Sequence, residues 1–384
     1  MRKVYMDHSA TTPVDKKVLK AMLPFLEGKF GNPSSIHFFG REVKVALEEA
    51  RETIGRFIKA KASEIYFTSG GTESDNLAIK GIAQLLKNKG NHIITSKTEH
   101  HAVLHTCEYL ETKGFKVSYL KPDQYGMISP QSVEEAITNE TILISIMHVN
   151  NEVGTINPIV KIGQVAKDHN ILFHTDAVQS FGKLSLDVSK QPIDLLSFSG
   201  HKIYGPKGIG GLYIRKGIQL EKLLHGGEHE RNRRAGTENI PCIIGMAKAV
   251  EIYAERIEDD HIHLFKLREA FYKKIKQAIP RIQLNGHPTE RLPGNLNLSF
   301  EGVEGESLLL SLDLKGVAAS SGSACTSGSI ESSHVLLAMG IKPELAQASI
   351  RFSLGRGNTM EDIKYTAQLL PEIVERLRSM SPLG

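Results

Sequence analysis

The chain has 384 residues, 40% of them hydrophobic and 23% charged, with a formal net charge of +4. These proportions match soluble globular proteins and exclude disordered and fibrous classes, and the length predicts two domains of roughly 100 to 200 residues each. Lys and Arg are interspersed with Asp and Glu, which argues against a nucleic-acid-binding stripe, and no run approaches the roughly 18 apolar residues of a membrane span. The segment MRKVYMDHSATT lacks an apolar signal core, so the expected compartment is the cytoplasm. Cys107, Cys242 and Cys325 are the 3 cysteines. Their odd number and wide spacing argue against a disulfide framework and leave room for a reactive thiol.

In chain order, Val14, Val18, Leu19, Met22 and Leu23 mark a first helix, and Val43, Ala46, Leu47, Ala50, Ile54 and Phe57 a second. The apolar runs EIYFT, HIITS, KVSYL, TILISIM, ILFHTD and DLLSFS then read as strands, separated by helices such as HAVLHTCEYLETKG and IVKIGQVAKDHN. Such alternation predicts a mainly parallel, helix-covered sheet, with ligands gathered at the polar strand ends. A helix starting near Ile243 meets no strong breaker before Pro280 and is expected to run on between two domains. NLNLSF, GESLLLSLDL, the loop SSGSACTSGS, ASIRFSL and a last helix from Met360 then suggest a smaller α+β domain, which the N-terminal segment joins. The expected division is 13–245 for the large domain and 1–12 with 246–384 for the small one, whose loop at about 320–333 carries Cys325.

Three segments point to a cofactor. In SFSGHKIYGPKG, Lys202 follows an apolar strand, Ser199 and His201 beside it suit a phosphate, and Gly205, Pro206 and Gly208 make a turn. A covalent lysine needs such a rigid place, although a lone lysine in a loop is ordinarily a surface residue. In FTSGGTESDNLAI, a strand runs through Gly70 and Gly71 into a helix opened by Thr72, with Asp75 at capping-box spacing. Its free amides favour an anion, while the segment taken by itself is better explained as a plain capped helix. In FHTDAVQS, Asp176 ends an apolar run, where a carboxylate pairs with the protonated ring nitrogen of pyridoxal phosphate or simply caps the next helix. Gln179 lies within reach of the same ring's hydroxyl.

With these segments, MDHSATTPVD, GNPSS, TSKTEHHAVL, SIMHVNNEVGT, SSGSACTS and SIRFSLGR resemble the cysteine desulfurase family over nearly the whole chain, and within it the long-loop IscS/NifS type. The resemblance implies a fold-type I pyridoxal-phosphate enzyme: a large α/β domain with a mainly parallel sheet, plus a smaller α+β domain. It implies that Lys202 anchors the cofactor, that Asp176 pairs with its ring nitrogen, that Asn151 and Gln179 contact its hydroxyl, and that His100 stacks over the ring and carries protons. Gly71, Thr72, Ser199 and His201 would hold the phosphate, and Thr237 would reach it from a second subunit of a homodimer. Arg351 would grip the carboxylate of L-cysteine, with Asn32 assisting; a structural ion-pair role is the alternative for Arg351. Cys325, alone of the cysteines in small and polar surroundings, would take the substrate sulfur as a persulfide, leaving alanine, and pass it to an iron-sulfur scaffold, a tRNA-thiolation carrier or another acceptor. It would also be able to share a [2Fe-2S] cluster transiently with a scaffold.

Other readings remain. Selenocysteine cleavage and transamination use the same scaffold. LHGGEHE offers His225, Glu228 and His229 to a metal-dependent hydrolase, without a recognised zinc spacing. A sulfur-binding protein would use Cys325 without a cofactor. Two departures concern contacts rather than chemistry: Glu228 stands where the family usually has a third glycine, and Arg233 and Arg234 are unusually basic for their place. The cluster Arg231, Arg233 and Arg234, among Glu228, Glu230 and Glu238, reads as a solvated or interface loop. The chain ends at RSMSPLG, short of the tail through which housekeeping members dock a scaffold, so that docking stays open.

Overall fold

The computed structural model describes residues 2–321 and 332–380. Its large sheet has seven strands: β2 (Ile65–Thr68), β3 (His92–Ser96), β4 (Lys116–Leu120), β5 (Thr141–Ser145), β6 (Leu172–Asp176), β7 (Leu195–Ser199) and β8 (Gly210–Ile214). Their order is β2-β8-β7-β6-β5-β3-β4, with β8 antiparallel to both neighbours and all other pairs parallel. Every residue of β3, β5 and β7 is buried, which is why these segments read as unbroken apolar runs.

Helices cover both faces. On one side α1 (Lys16–Glu27), α2 (Phe38–Phe57), α5 (Pro130–Glu135), α6 (Ile159–Asp168) and α7 (Ile240–Ala254) contribute Val18, Val43, Val133, Ile162 and Ile243 to a single apolar cluster. On the other, α3 (Gly71–Leu86) and α4 (His101–Glu111) bring in Leu77, Ile82, Val103 and Leu110. The strand missing from the sequence reading is β8, whose Gly210 and Gly211 look like a continuation of the preceding turn. Both glycines answer to close packing: a Cβ on Gly211 would stand 2.3 Å from the Phe198 ring, and one on Gly210 would stand 2.6 Å from the Gly70 main chain.

A second sheet, β12-β10-β9, is antiparallel and consists of β9 (Ile282–Asn285), β10 (Asn295–Phe300) and β12 (Ser349–Ser353); β1 (Val4–Tyr5) pairs in parallel with β11 (Val317–Ala318). With α8 (Ile257–Ala278), α9 (Gly305–Asp313) and α12 (Met360–Met380), these strands enclose a core that includes Val4, Phe271, Leu298, Leu308, Phe352 and Leu370. Short α10 (His334–Ala338) and α11 (Pro343–Gln347) form a small cluster with Val153. Among the described residues no helix is long and apolar enough to cross a membrane.

The helix expected to run unbroken from near Ile243 is two helices, α7 and α8. Their packing explains the break. Tyr253 of α7 belongs to the large cluster and Leu267 of α8 to the small one, while Glu258, Asp259 and Asp260 give α8 an acidic first turn of its own. Arg356 secures the junction, its guanidinium 4.6 and 4.5 Å from the Tyr204 and Tyr253 ring centres and its Nε 2.8 Å from Asp260.

The basic loop is partly buried rather than simply solvated. Glu230 is 4% exposed and accepts two bonds from Arg51, at 2.7 and 2.8 Å, and one from the Phe67 amide. Arg234 binds Glu73 at 2.8 Å.

Candidate functional site

The N-terminal segment runs on from β1, bridges to β12 through Asp7 and meets the turn after β7. That turn, Gly200–Lys202, is held by Gly200 N donating to Ile209 O and Gly205 N donating to Gly200 O, both at 3.0 Å. Lys202 Nζ donates to the carbonyls of Ser9 and Ala10 at 2.5 and 2.6 Å. His201 Nδ1 meets Thr11 Oγ1 at 3.1 Å, and burial followed by the charge of Lys202 lowers its pKa to about 4. The segment MDHSATT was legible as a family pattern, but nothing in its composition signalled that its carbonyls hold the lysine.

Asp176 closes β6 with 6% exposure and accepts the Val178 amide at 2.8 Å. Burial raises its pKa to about 6, against the Val178 bond and the Lys202 charge. Gly71 starts α3 so close that a Cβ there would lie 2.6 Å from Val178 Cγ2. The expected Thr72–Asp75 capping box is absent. Glu73 instead accepts the Ser69 amide at 2.8 Å, and Asp75 is turned inward, 1% exposed and 3.7 Å from His174 Nε2. An inward carboxylate cannot serve an exposed helix end, and burial with the neighbouring Asp176 pushes its pKa well up.

His100 caps α4, its Nδ1 accepting the Ala102 amide at 3.1 Å, which puts the proton of the neutral ring on Nε2. Burial and the nearby Lys202 lower its pKa to about 4, so it is a neutral ring rather than a standing acid. Below it, fully buried Glu99 accepts from Ser96 Oγ at 2.7 Å and from the Met147 amide at 3.0 Å, and desolvation raises its pKa to about 8. Arg351 is 3% exposed and does have an anionic partner: Nη2 donates to Asp7 at 2.8 Å and Nη1 to the Asn151 carbonyl at 3.0 Å, while its Nε meets no partner among the described residues. The sequence reading missed Asp7.

One cavity of about 290 Å³ collects Gly71, Thr72, His100, Asn151, Asp176, Gln179, Ser199, His201, Lys202 and Arg351, together with Ser9, Ala10 and Asp75. Two expected residues lie elsewhere. Asn32 is exposed, its Oδ1 accepting the Ser34 amide at 2.9 Å, and Thr237 lines a separate cavity with Thr68, Ser69 and Glu238. Cys325 lies outside the described residues. The described flanks of its stretch are both tied beside Arg351: Ser320 exchanges main-chain bonds with Arg351 at 2.7 and 3.2 Å, and Ser333 Oγ donates to the buried carboxylate of Glu152. In LHGGEHE, His229 pairs with Glu238 at 3.0 Å, and among the described residues no group of three His, Cys, Asp or Glu side chains is placed to hold a metal.

These residues fit pyridoxal phosphate. A buried carboxylate, a lysine at the rim, a glycine whose Cβ would close the wall, and a helix start with hydroxyl and imidazole neighbours supply a partner for each polar part of that group.

The family model described as aminotransferase class-V matches residues 4–366. The cysteine desulfurase IscS of Methanosarcina thermophila is 57% identical over 99% of this chain and 94% of its own. The chain belongs to the cysteine desulfurases of the class-V aminotransferase family. A solved NifS-like protein superposes with a TM-score of 0.92 at 39% identity, covering 98% of this chain and 100% of that one. SspA, solved in complex with cysteine, gives 0.83 at 42% identity, covering 93% and 100%. Enzymes of this family depend on pyridoxal phosphate and assist iron-sulfur cluster assembly.

The raised Glu99 pKa has a thermodynamic consequence. The folded chain holds this proton up to about pH 8 and the unfolded chain only to about 4.5, so the stability it contributes is complete below the lower value and lost as pH rises through the upper. Glu99→Gln is therefore expected to flatten the fall in melting temperature between about pH 4.5 and 8, an effect of roughly a few kcal/mol. Calorimetry of both proteins across that range checks it, and parallel declines would contradict it.

Proposed function

We propose that pyridoxal phosphate occupies the 290 Å³ cavity and that L-cysteine reacts there, yielding alanine and a persulfide on Cys325. The observation that carries this reading is the convergence of Lys202, Asp176 and Arg351 on one cavity; the cysteine bound by the related SspA supports the substrate. Bound there, the cofactor supplies an electron-poor ring that stabilises negative charge developing at the substrate Cα.

The chain's own residues do the rest. Lys202 Nζ anchors the cofactor and, once released, takes the Cα proton; the Ser9 and Ala10 carbonyls hold its position. Asp176 provides the negative charge opposite the ring nitrogen. Arg351 binds the substrate carboxylate, using its unpartnered Nε and sharing its other nitrogens with Asp7 and Asn151. His100, neutral with its proton on Nε2, stacks on the ring and passes protons at that atom. Cys325 Sγ attacks the substrate sulfur: an S–S bond forms, the C–S bond breaks, and its electron pair stays with the carbon that becomes alanine.

A sulfur acceptor must then take the persulfide, and we assign that role to an iron-sulfur scaffold, with a tRNA-thiolation carrier as the second candidate. The cytoplasm, where thiols stay reduced, is the proposed compartment, consistent with the free thiols of Cys107 and Cys242. A homodimer is proposed as well. Leu23, Leu26, Phe30, Ile36 and Phe38 are 41 to 90% exposed around α1 and the start of α2, an apolar surface that a second copy would cover. In such a dimer Thr237, absent from this chain's own cavity, reaches its partner's.

Cys325→Ser is expected to abolish sulfide release from L-cysteine while cofactor absorption persists; unchanged release would refute the assignment, and release confined to selenocysteine would favour a lyase. Light scattering is expected to give the mass of two chains, and a single-chain mass at micromolar concentration would remove the dimer.

A further inference from the structure

We propose that Lys183 is a proton-exchanging residue that connects Lys202 to solvent through a cavity behind the active site. The proposal rests on the reading of Lys202 as the Cα base.

Three cavities lie in series. The active-site cavity shares Ser9 and Lys202 with a second one of about 50 Å³, bounded also by Lys183, Tyr253, Asp260 and Arg356. That volume admits a short file of waters, since one water needs roughly 10 to 15 Å³ by the same measure. The second cavity in turn shares Lys183, Ile257 and His261 with a third, of about 830 Å³ and open to solvent. Lys202 is thus the partition on the inner side and Lys183 the partition on the outer side. Nothing in the desulfurase reaction as derived above requires an amine at Lys183.

The surroundings suit an amine that changes charge. Burial, then the positive charges of Lys202 and Arg351, lower the Lys183 pKa to about 7, although the residue keeps partial exposure. Nζ lies 3.4 Å from Gln179 Oε1, whose Nε2 donates to the Ser9 carbonyl that also receives Lys202. The other groups facing it leave the charge unbalanced. Asp260 is committed to Arg356 at 2.8 Å, and His8 and His201 are held neutral, both lowered to about 4. His261 borders both cavities, while Arg56, Asp187 and Glu258 line only the outer one.

The transfer balances simply. The Lys183 ammonium gives one proton to the water file, the file gives one to a neutral Lys202 amine, and the outer cavity restores the proton on Lys183; the reverse sequence drains Lys202. The net change is one proton exchanged between solvent and Lys202 Nζ. The active-site mouth need not open to water for this exchange, so protons can be renewed while substrate is bound.

The test is solvent deuterium entry at Cα of L-alanine, catalysed by the cofactor-loaded enzyme, because this exchange needs Lys202 but no sulfur transfer. Lys183→Met is expected to slow exchange roughly tenfold or more at pH 7, with cofactor content and visible absorption unchanged. Lys183→Arg, which keeps a donor near Gln179 but does not deprotonate, is expected to be equally slow. Wild-type exchange in Lys183→Arg would make the residue a holder of Gln179 and overturn the relay, as would unchanged exchange in Lys183→Met. A direct readout is the pH dependence of Lys183 acylation by acetic anhydride, followed by peptide mass spectrometry. Half-reaction near pH 7 is expected, and a midpoint near 10 would also overturn the proposal. Wild-type exchange in Lys202→Ala would instead show that the reading of Lys202 itself is at fault.

Discussion

The structure depends on keeping a carboxylate in the protein interior where the parallel strands end. Asp176 is buried at the end of β6, with Asp75 and Glu99 nearby, and desolvation raises the pKa of all three. Isolated ionised acids in such a place are costly, so they neutralise or gather positive charge and amide donors. Here the Val178 amide binds Asp176 and the charge of Lys202 favours its ionised form. The proposed cationic ring would answer this electrostatic demand, and Lys202, placed by the turn after β7, meets part of it beforehand.

The N-terminal segment and β12 complete the site that the larger sheet begins. The N-terminal segment leaves β1, bridges to β12 through Asp7, and then lays Ser9 and Ala10 against Lys202. Asp7 also holds Arg351, so the carboxylate that positions this guanidinium and the carbonyls that hold the lysine belong to one run of chain. Arg356, clasped between Tyr204 and Tyr253, keeps the two cores in register across the same boundary. Movement of one core against the other would disturb every one of these contacts together.

Much of this was legible in the residues. The six apolar runs became β2 to β7; β2, β3, β5 and β7 are fully buried and carry an unbroken hydrophobic signal, whereas the edge strand β4 has no buried residue. Lys202, Asp176, Gly71 and His100 share a cavity because each stands where a strand gives way to a turn or helix. The misses have physical causes as well. β8 was hidden by glycines that close packing demands, and Asp75 satisfies a spacing rule for caps while its burial makes it useless as one. The break between α7 and α8 carries no Pro or Gly, because it follows from two separate cores rather than from a local breaker. The role of Asp7 arises from a contact across 344 residues, which spacing along the chain does not encode.

In the proposed site Lys202, rather than another amine in the same region, carries the cofactor. Lys183 is the natural competitor, since its lowered pKa also leaves it nucleophilic near neutrality. Borohydride reduction of the cofactor-loaded protein, followed by peptide mass spectrometry, separates the two. A pyridoxyl adduct on the peptide containing Lys202 is predicted; an adduct on Lys183, or no adduct on any lysine, would contradict the account.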